Sequence, residues 1–328
     1  MASVPSVPRR RRMKNKLSKV LSLIFCAVLT LSLCACKGGE QQADGGRLRI
    51  VCTLFVPYDF VREIVGDKAE VSFLLPPGME THSYEPTPAD IKKVGKADLL
   101  IRVGENMETW SQKLFDPSTG AKNYLDISEK MGLHLAEHEH HGHEHEDEHD
   151  HEDAADGHIW TDPVYAEGMV RVITDELCRL DKENAEEYRK NSEAYIEELE
   201  KLDETFKNIV SSGKRRTVVF SGRFAFKNFA RRYSLEVISA LDACSDNSEP
   251  GARTVARIID TVRNENIPVI FYEELTEPRT ARVICGETGC GMLLLHSCQN
   301  VSGDEFDSGV TYLSLMRQNA ENLREALK

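Results

Sequence analysis

The stretch DKENAEEYRKNSEAYIEELEKLDETFKNIVSSG, residues 181–213, decides how the rest of the chain is organised. Its apolar residues Tyr188, Tyr195, Leu199, Leu202, Phe206 and Ile209 fall seven, four, three, four and three positions apart, one stripe of an α-helix. At about 1.5 Å per residue a helix of ~28 residues spans roughly 40 Å. Such a stripe can be the seam of a coiled coil. Flanked on both sides by strand patterns, it fits better as a strut within one molecule, holding two lobes at a nearly fixed angle.

Before the strut, strand and helix patterns alternate. RIVCTLF (49–55) is apolar and β-branched, and YDFVREIVG reads as a helix closed by Gly66. AEVSFLL (69–75) is a second strand, stopped by Pro76, Pro77 and Gly78. PTPADIKKVG (86–95) starts a helix, ADLLIRVG (97–104) is a third strand, ENMETWSQKLF a helix and YLDIS a short strand. After the strut come four strand candidates: TVVFSG (217–222), LEVISAL (235–241), PVIFYE (268–273) and MLLLHS (292–297). Helical segments near 224–233, 253–266, 278–288 and 311–327 separate or follow them. Alternation of this kind builds parallel sheets from βαβ units. The expected fold is α/β: two lobes, each a mainly parallel sheet flanked by helices, joined by one long rigid helix. The N-terminal lobe is assigned to 47–182, the linking helix to 183–212 and the C-terminal lobe to 213–328.

With 328 residues, 41% of them apolar, the chain can fill two cores. A formal net charge of −13 leaves no basic surface for nucleic acid. Positive charge gathers only at the start, in Arg9–Arg12, Lys14, Lys16 and Lys19, ahead of the apolar run VLSLIFCAVLTLSL (20–33). That run is too short to span a bilayer and reads as the core of a secretory signal, residues 1–35. LCAC (33–36) resembles the bacterial lipobox, which implies lipidation of Cys36 and a protein anchored to the outer face of the bacterial cell membrane. KGGEQQADGG then completes a flexible tether over 36–46. Cys52, Cys178, Cys244, Cys285, Cys290 and Cys298 remain for an exported, disulfide-permissive compartment, with Cys244–Cys298 or Cys285–Cys290 as conceivable pairs.

Histidine usage is lopsided. Seven of the eleven histidines, His138, His140, His141, His143, His145, His149 and His151, lie in EHEHHGHEHEDEHDHE (137–152). With nine carboxylates across 137–153, this segment has too few apolar residues to order itself. It reads as a disordered accessory loop offering divalent cations many weak sites. Of the other four, His134 has no telling placement. His82 follows the strand AEVSFLL in PPGMETHSYEPTPAD, and His296 ends the strand MLLL. His158 lies in HIWTDP, where Thr161 or Asp162 caps a helix beginning at Pro163. In parallel sheets ligands bind beyond the carboxyl ends of strands. Histidines delivered to that edge from both halves are what a metal cleft between two lobes requires.

These motifs carry a resemblance. PPGMETHSYEPTPADI and GHIWTDP resemble the first and second metal-histidine motifs of the bacterial ABC-transporter substrate-binding lipoproteins for zinc and manganese. FKNFARRYSLEV resembles the segment after that family's third ligand, and an acidic histidine loop is typical of its zinc branch. The resemblance runs from about Leu48 to the C-terminus. It implies the metal-binding cluster of periplasmic-binding-protein-like folds, and a metal held between the lobes and handed to an ABC permease and its ATPase. It also implies a departure: the family's third ligand falls at Arg223, whose permanent charge forbids cation ligation, and its late aspartate falls near His296. Arg223 is expected to pair with a carboxylate such as Glu273. The expected ligands are His82, His158 and His296, completed by water, Glu80, Glu249 or the Cys244 thiolate.

A mainly imidazole shell suits Zn²⁺ better than Mn²⁺, which favours oxygen. The expected function is therefore extracytoplasmic high-affinity Zn²⁺ binding and delivery to an importer by a monomer, with no catalysis. A surface zinc buffer or adhesin uses the same ligands. A zinc metallohydrolase is the weaker alternative, because no HExxH and no carboxylate base at helical spacing accompanies them.

Overall fold

The computed structural model describes residues 47–81, 84–105, 107–116, 118, 120–133, 156–242 and 249–328. The signal and tether assigned to 1–46 with Cys36, the metal candidate His82, the histidine-rich segment 137–153 and Cys244 lie outside the described residues.

Two four-stranded parallel sheets form the frame. In the first, β1 (Leu48–Cys52), β2 (Ala69–Phe73), β3 (Leu99–Arg102) and β4 (Tyr124–Asp126) run in the order β2-β1-β3-β4. In the second, β5 (Thr217–Phe224), β6 (Glu236–Asp242), β7 (Val269–Tyr272) and β8 (Gly291–Leu294) run β6-β5-β7-β8. All eight strand candidates of the sequence are present. The first is shorter than its apolar run, because Leu54 becomes the N-cap of α1 (Phe55–Val65). The connections of the first half are α2 (Pro88–Val94), a 3₁₀ turn over Thr109–Phe115 and α3 (Ile127–Lys130). The 3₁₀ turn replaces an expected α-helix. Ser111 N–H bonds the carbonyl of Glu108 three residues back, while the buried Glu108 carboxylate is committed to the amides of Val103 and Gly104 at the end of β3. The chain is thus wound tightly at its start.

α4 (Pro163–Leu180) leads into the strut α5 (Ala185–Ser212), 28 residues long. The second half adds α6 (Lys227–Tyr233), α7 (Ala252–Asn264), α8 (Arg279–Thr288), α9 (Gly303–Asp307) and α10 (Tyr312–Ala326). Every residue of the α5 stripe, from Tyr188 to Ile209, is buried. They join one core that also takes in α1, α4, α10 and residues of both sheets. The stripe is therefore used up inside the molecule and is not an open coiled-coil seam. Smaller cores cover the opposite sheet faces: Val51, Leu74, Val94 and Leu100 in the first half, Val219, Ile258, Ile270 and Ile284 in the second. Burial on both faces is the condition parallel sheets require.

One buried hydrogen-bonded line ties the halves behind the strand ends. Asp59 on α1 accepts the Tyr312 amide at 2.8 Å, and the Tyr312 hydroxyl donates to the Trp160 carbonyl at 2.6 Å. Trp160 Nε1–H in turn donates to the Ser297 carbonyl at 2.7 Å.

Candidate metal centre

The carboxyl ends of β2, β5, β7 and β8 face a cleft with a volume of about 110 Å³. Glu80 and Thr81 line it from the first half, and Arg223, Glu273, Glu274 and Ser297 from the second. The loop after β2 is docked onto the second half by Asn300, whose amide donates to the carbonyls of Pro76 at 2.9 Å and Met79 at 2.8 Å. Gly78 N–H adds a bond to the Val301 carbonyl at 2.7 Å. This loop leads directly into His82.

His158 precedes a short 3₁₀ turn, Ile159–Thr161, and is 1% exposed. Asp156 Oδ1 accepts its backbone N–H at 2.9 Å and lies 2.7 Å from its Nδ1. A carboxylate there selects the tautomer with hydrogen on Nδ1 and leaves the Nε2 lone pair as the donor. Burial acts to raise the Asp156 pKa, but the neighbouring His158 and its hydrogen bonds outweigh it and bring it to about 2. The carboxylate is thus held ionised. Asn228 fixes the same loop by donating to the Asp156 carbonyl, and the Trp160 ring packs edge-on against the imidazole at 5.4 Å. Asp162, not Thr161, caps α4: its Oδ1 accepts the Val164 amide at 2.9 Å, while the Thr161 hydroxyl donates to the His158 carbonyl.

His296 is equally buried but arranged differently. Asn319 clamps its backbone from both sides, accepting its N–H and donating to its carbonyl, each at 2.8 Å. Nδ1 accepts the Cys298 amide at 2.9 Å, and Nε2 lies 3.7 Å from Glu305 Oε1. The neutral ring therefore carries its hydrogen on Nε2, facing a carboxylate. Burial disfavours charge on this ring, yet Glu274 and Glu305 outweigh burial and raise its pKa. To ligate a cation through Nε2, His296 has to exchange its Cys298 amide bond for a hydrogen on Nδ1.

Arg223 reaches the cleft through a bulge. Phe220 pairs with Ser239 and Arg223 with Leu241, so β5 carries one extra residue between them. Bulges beside sites commonly re-aim a side chain. Glu273 sits against this bulge, under the charge and backbone N–H of Arg223; burial comes first among its influences and lifts it to about 7 despite them. A Cβ on Gly222 would stand 3.1 Å from Glu273 Oε1, so a larger residue there would press on the Glu273 carboxyl. Arg223 thus acts on Glu273, the carboxylate named from the sequence. Glu274 accepts the Ser297 amide at 2.9 Å and its hydroxyl, a use of Glu274 that the sequence did not signal.

Of the supplementary candidates, Glu80 is exposed at the cleft mouth, and Glu249 lines a neighbouring cavity 3.6 Å from Arg279. Among the described residues no three His, Cys, Asp or Glu side chains converge as a metal-holding group; His82 is not one of those residues.

Comparison with known proteins bears directly on this site. The family described as zinc-uptake complex component A, periplasmic, matches residues 50–326. The chain is 32% identical over 311 residues to the high-affinity zinc uptake system protein ZnuA of Bacillus subtilis, covering 94% of this chain and 97% of that one. It is 31% identical over 308 residues to the zinc-binding lipoprotein AdcA of Streptococcus pneumoniae, but spans only 61% of that longer protein. Its fold matches the Zn(II)-bound ZnuA-like domain of that AdcA with a TM-score of 0.70 at 29% identity, over 86% of this chain and 99% of the domain. It also matches the laminin-binding protein of Streptococcus agalactiae, described as bifunctional with adhesin and metal-transporting activity, with a TM-score of 0.72 at 27% identity, over 86% and 100% of the two chains.

Proposed function

The chain belongs to the zinc-uptake complex component A family of periplasmic proteins, and from that premise we propose that it captures Zn²⁺ outside the cytoplasm and delivers it to an ABC importer. It is a solute-binding protein and not an enzyme. The observation that carries this reading is the His158–Asp156 pair: a buried imidazole whose Nδ1 is bound to an ionised carboxylate presents Nε2 as a preset zinc donor. His82, His158 and His296 are the nitrogen ligands of the proposal, and the cleft carboxylate Glu80 is the oxygen donor proposed to complete them. Arg223 supplies no donor; it offsets the negative charge of Glu273 instead. Glu249 and Cys244 are reserve donors, and Mn²⁺ is the less suited cargo for an imidazole-rich shell.

Tight binding follows from having His158 already set by Asp156 when the ion arrives, so that less ordering is left to do. The buried strut sets the lobe positions, and Asn300 sets the loop before His82. Release to the permease and its ATPase then requires that loop to come off the second half. Replacing Asn300 with alanine removes two hydrogen bonds worth about 1 kcal/mol each, so zinc should dissociate about 30-fold faster. Trapping released zinc with a chromogenic chelator in stopped flow measures this. An unchanged rate removes Asn300 from the release step.

Cys36 anchors the protein through lipid to the outer face of the bacterial cell membrane, the tether 36–46 spaces a monomer from the bilayer, and the histidine-rich segment 137–153 gathers ions for the cleft. The test is zinc titration of the purified protein against a deletion of 137–153. One tight equivalent should survive the deletion while the weaker equivalents vanish. Loss of the tight equivalent would put the working site in the histidine run and refute the cleft.

A further inference from the structure

We propose that Cys285 and Cys290 are a dithiol that closes to a disulfide outside the cytoplasm, locking α8 to the start of β8. Their Sγ atoms lie 2.9 Å apart and both residues are half-buried, within reach of a small oxidant. Gly289, at φ 76°, makes the left-handed turn that folds the chain back between them. The other described cysteines, Cys52, Cys178 and Cys298, are buried. Both partners pack on the small core of the second half, near Ile270, Ala281 and Ile284 and away from the metal cleft. The inference is therefore independent of the zinc reading.

The oxidant is a disulfide of the exported compartment, with oxidised glutathione as its laboratory counterpart. The Cys290 thiolate attacks one glutathione sulfur and expels the other half as a thiolate. Cys285 then loses its proton and attacks the Cys290 sulfur, expelling the second glutathione. Two protein thiols and one glutathione disulfide become one protein disulfide and two glutathione thiols. Burial, and then the bond to Cys290, raise the Cys285 thiol pKa.

The experiment incubates the folded, zinc-loaded protein with oxidised glutathione, blocks remaining thiols by alkylation and cleaves after Glu287, which lies between the two cysteines. Mass spectrometry should find the fragments on either side of that cut joined and two mass units lighter than their sum. The C290S variant should leave them separate. The melting temperature of the oxidised protein should exceed that of the reduced one by a few degrees, since a short loop is closed. Fragments that separate in the wild type, or that stay joined in C290S through another cysteine, overturn the proposal. An unchanged melting temperature in the joined protein overturns the locking role.

Discussion

Zinc affinity should fall by more than about 100-fold when His158 is replaced with alanine, because the change removes a donor atom itself, whereas loss of an outer partner alone costs about 10- to 100-fold. That fall corresponds to at least about 2.7 kcal/mol. The reason lies in how the ring is prepared. Asp156 takes Nδ1 at 2.7 Å, Trp160 packs on the imidazole, and the His158 carbonyl receives the Thr161 hydroxyl, so no rotamer search precedes ligation. Asp156→Ala should give the smaller loss expected of an outer partner. His296→Ala should also cost less than His158→Ala, because His296 first has to give up its Cys298 amide bond. Competition against a chelator of known affinity, with bound metal identified by elemental analysis, ranks the three. A His158→Ala protein that retains wild-type affinity at one zinc per chain would remove His158 from the site.

The second large effect concerns stability. Trp160 is fully buried, donates to Ser297 in the other half and lies under the Tyr312 hydroxyl. Trp160→Ala should destabilise the metal-free protein by about 3–5 kcal/mol through the cavity it leaves. The orphaned Ser297 carbonyl adds to that cost. For a chain of this size the melting temperature should drop on the order of 10 °C, read by circular dichroism. Trp160→Phe keeps most of the volume but loses the N–H and part of the ring, so it should fall between the wild type and Trp160→Ala. Zinc raises the melting temperature by an amount that grows with the logarithm of its affinity. That increment should shrink in Trp160→Ala, because the ring that holds His158 is gone. A drop of under about 2 °C would show that the halves do not depend on this residue for their joining.

Much of this was readable from residue order. The spacing of Tyr188, Tyr195, Leu199, Leu202, Phe206 and Ile209 marked a helical face to be buried, and all six are buried. The β-branched runs marked eight strands, and all eight form. The placement of His158 beside an Asp-Pro helix start gave its position, since capping is local chemistry; which residue caps was open until Asp162 was seen to accept the Val164 amide.

Orientation was not readable. Whether Arg223 faces the cleft depends on one extra residue in β5, and a shift of one residue turns a side chain to the other face of a sheet. Which nitrogen of His158 or His296 holds a hydrogen depends on the partner brought to it, Asp156 in one case and the Cys298 amide in the other. The sequence by itself determined the lobes, the strut between them and the residue types at the strand ends, because periodicity and capping act over a few residues. Only the tertiary structure decided how the cleft is wired: Asn300 on the Pro76 loop, Trp160 on Ser297 and Glu273 beside Arg223 are contacts between segments far apart in the chain. Hydrogen-bond direction is set by whichever group folding delivers within about 3 Å, and local pattern carries no record of that distance.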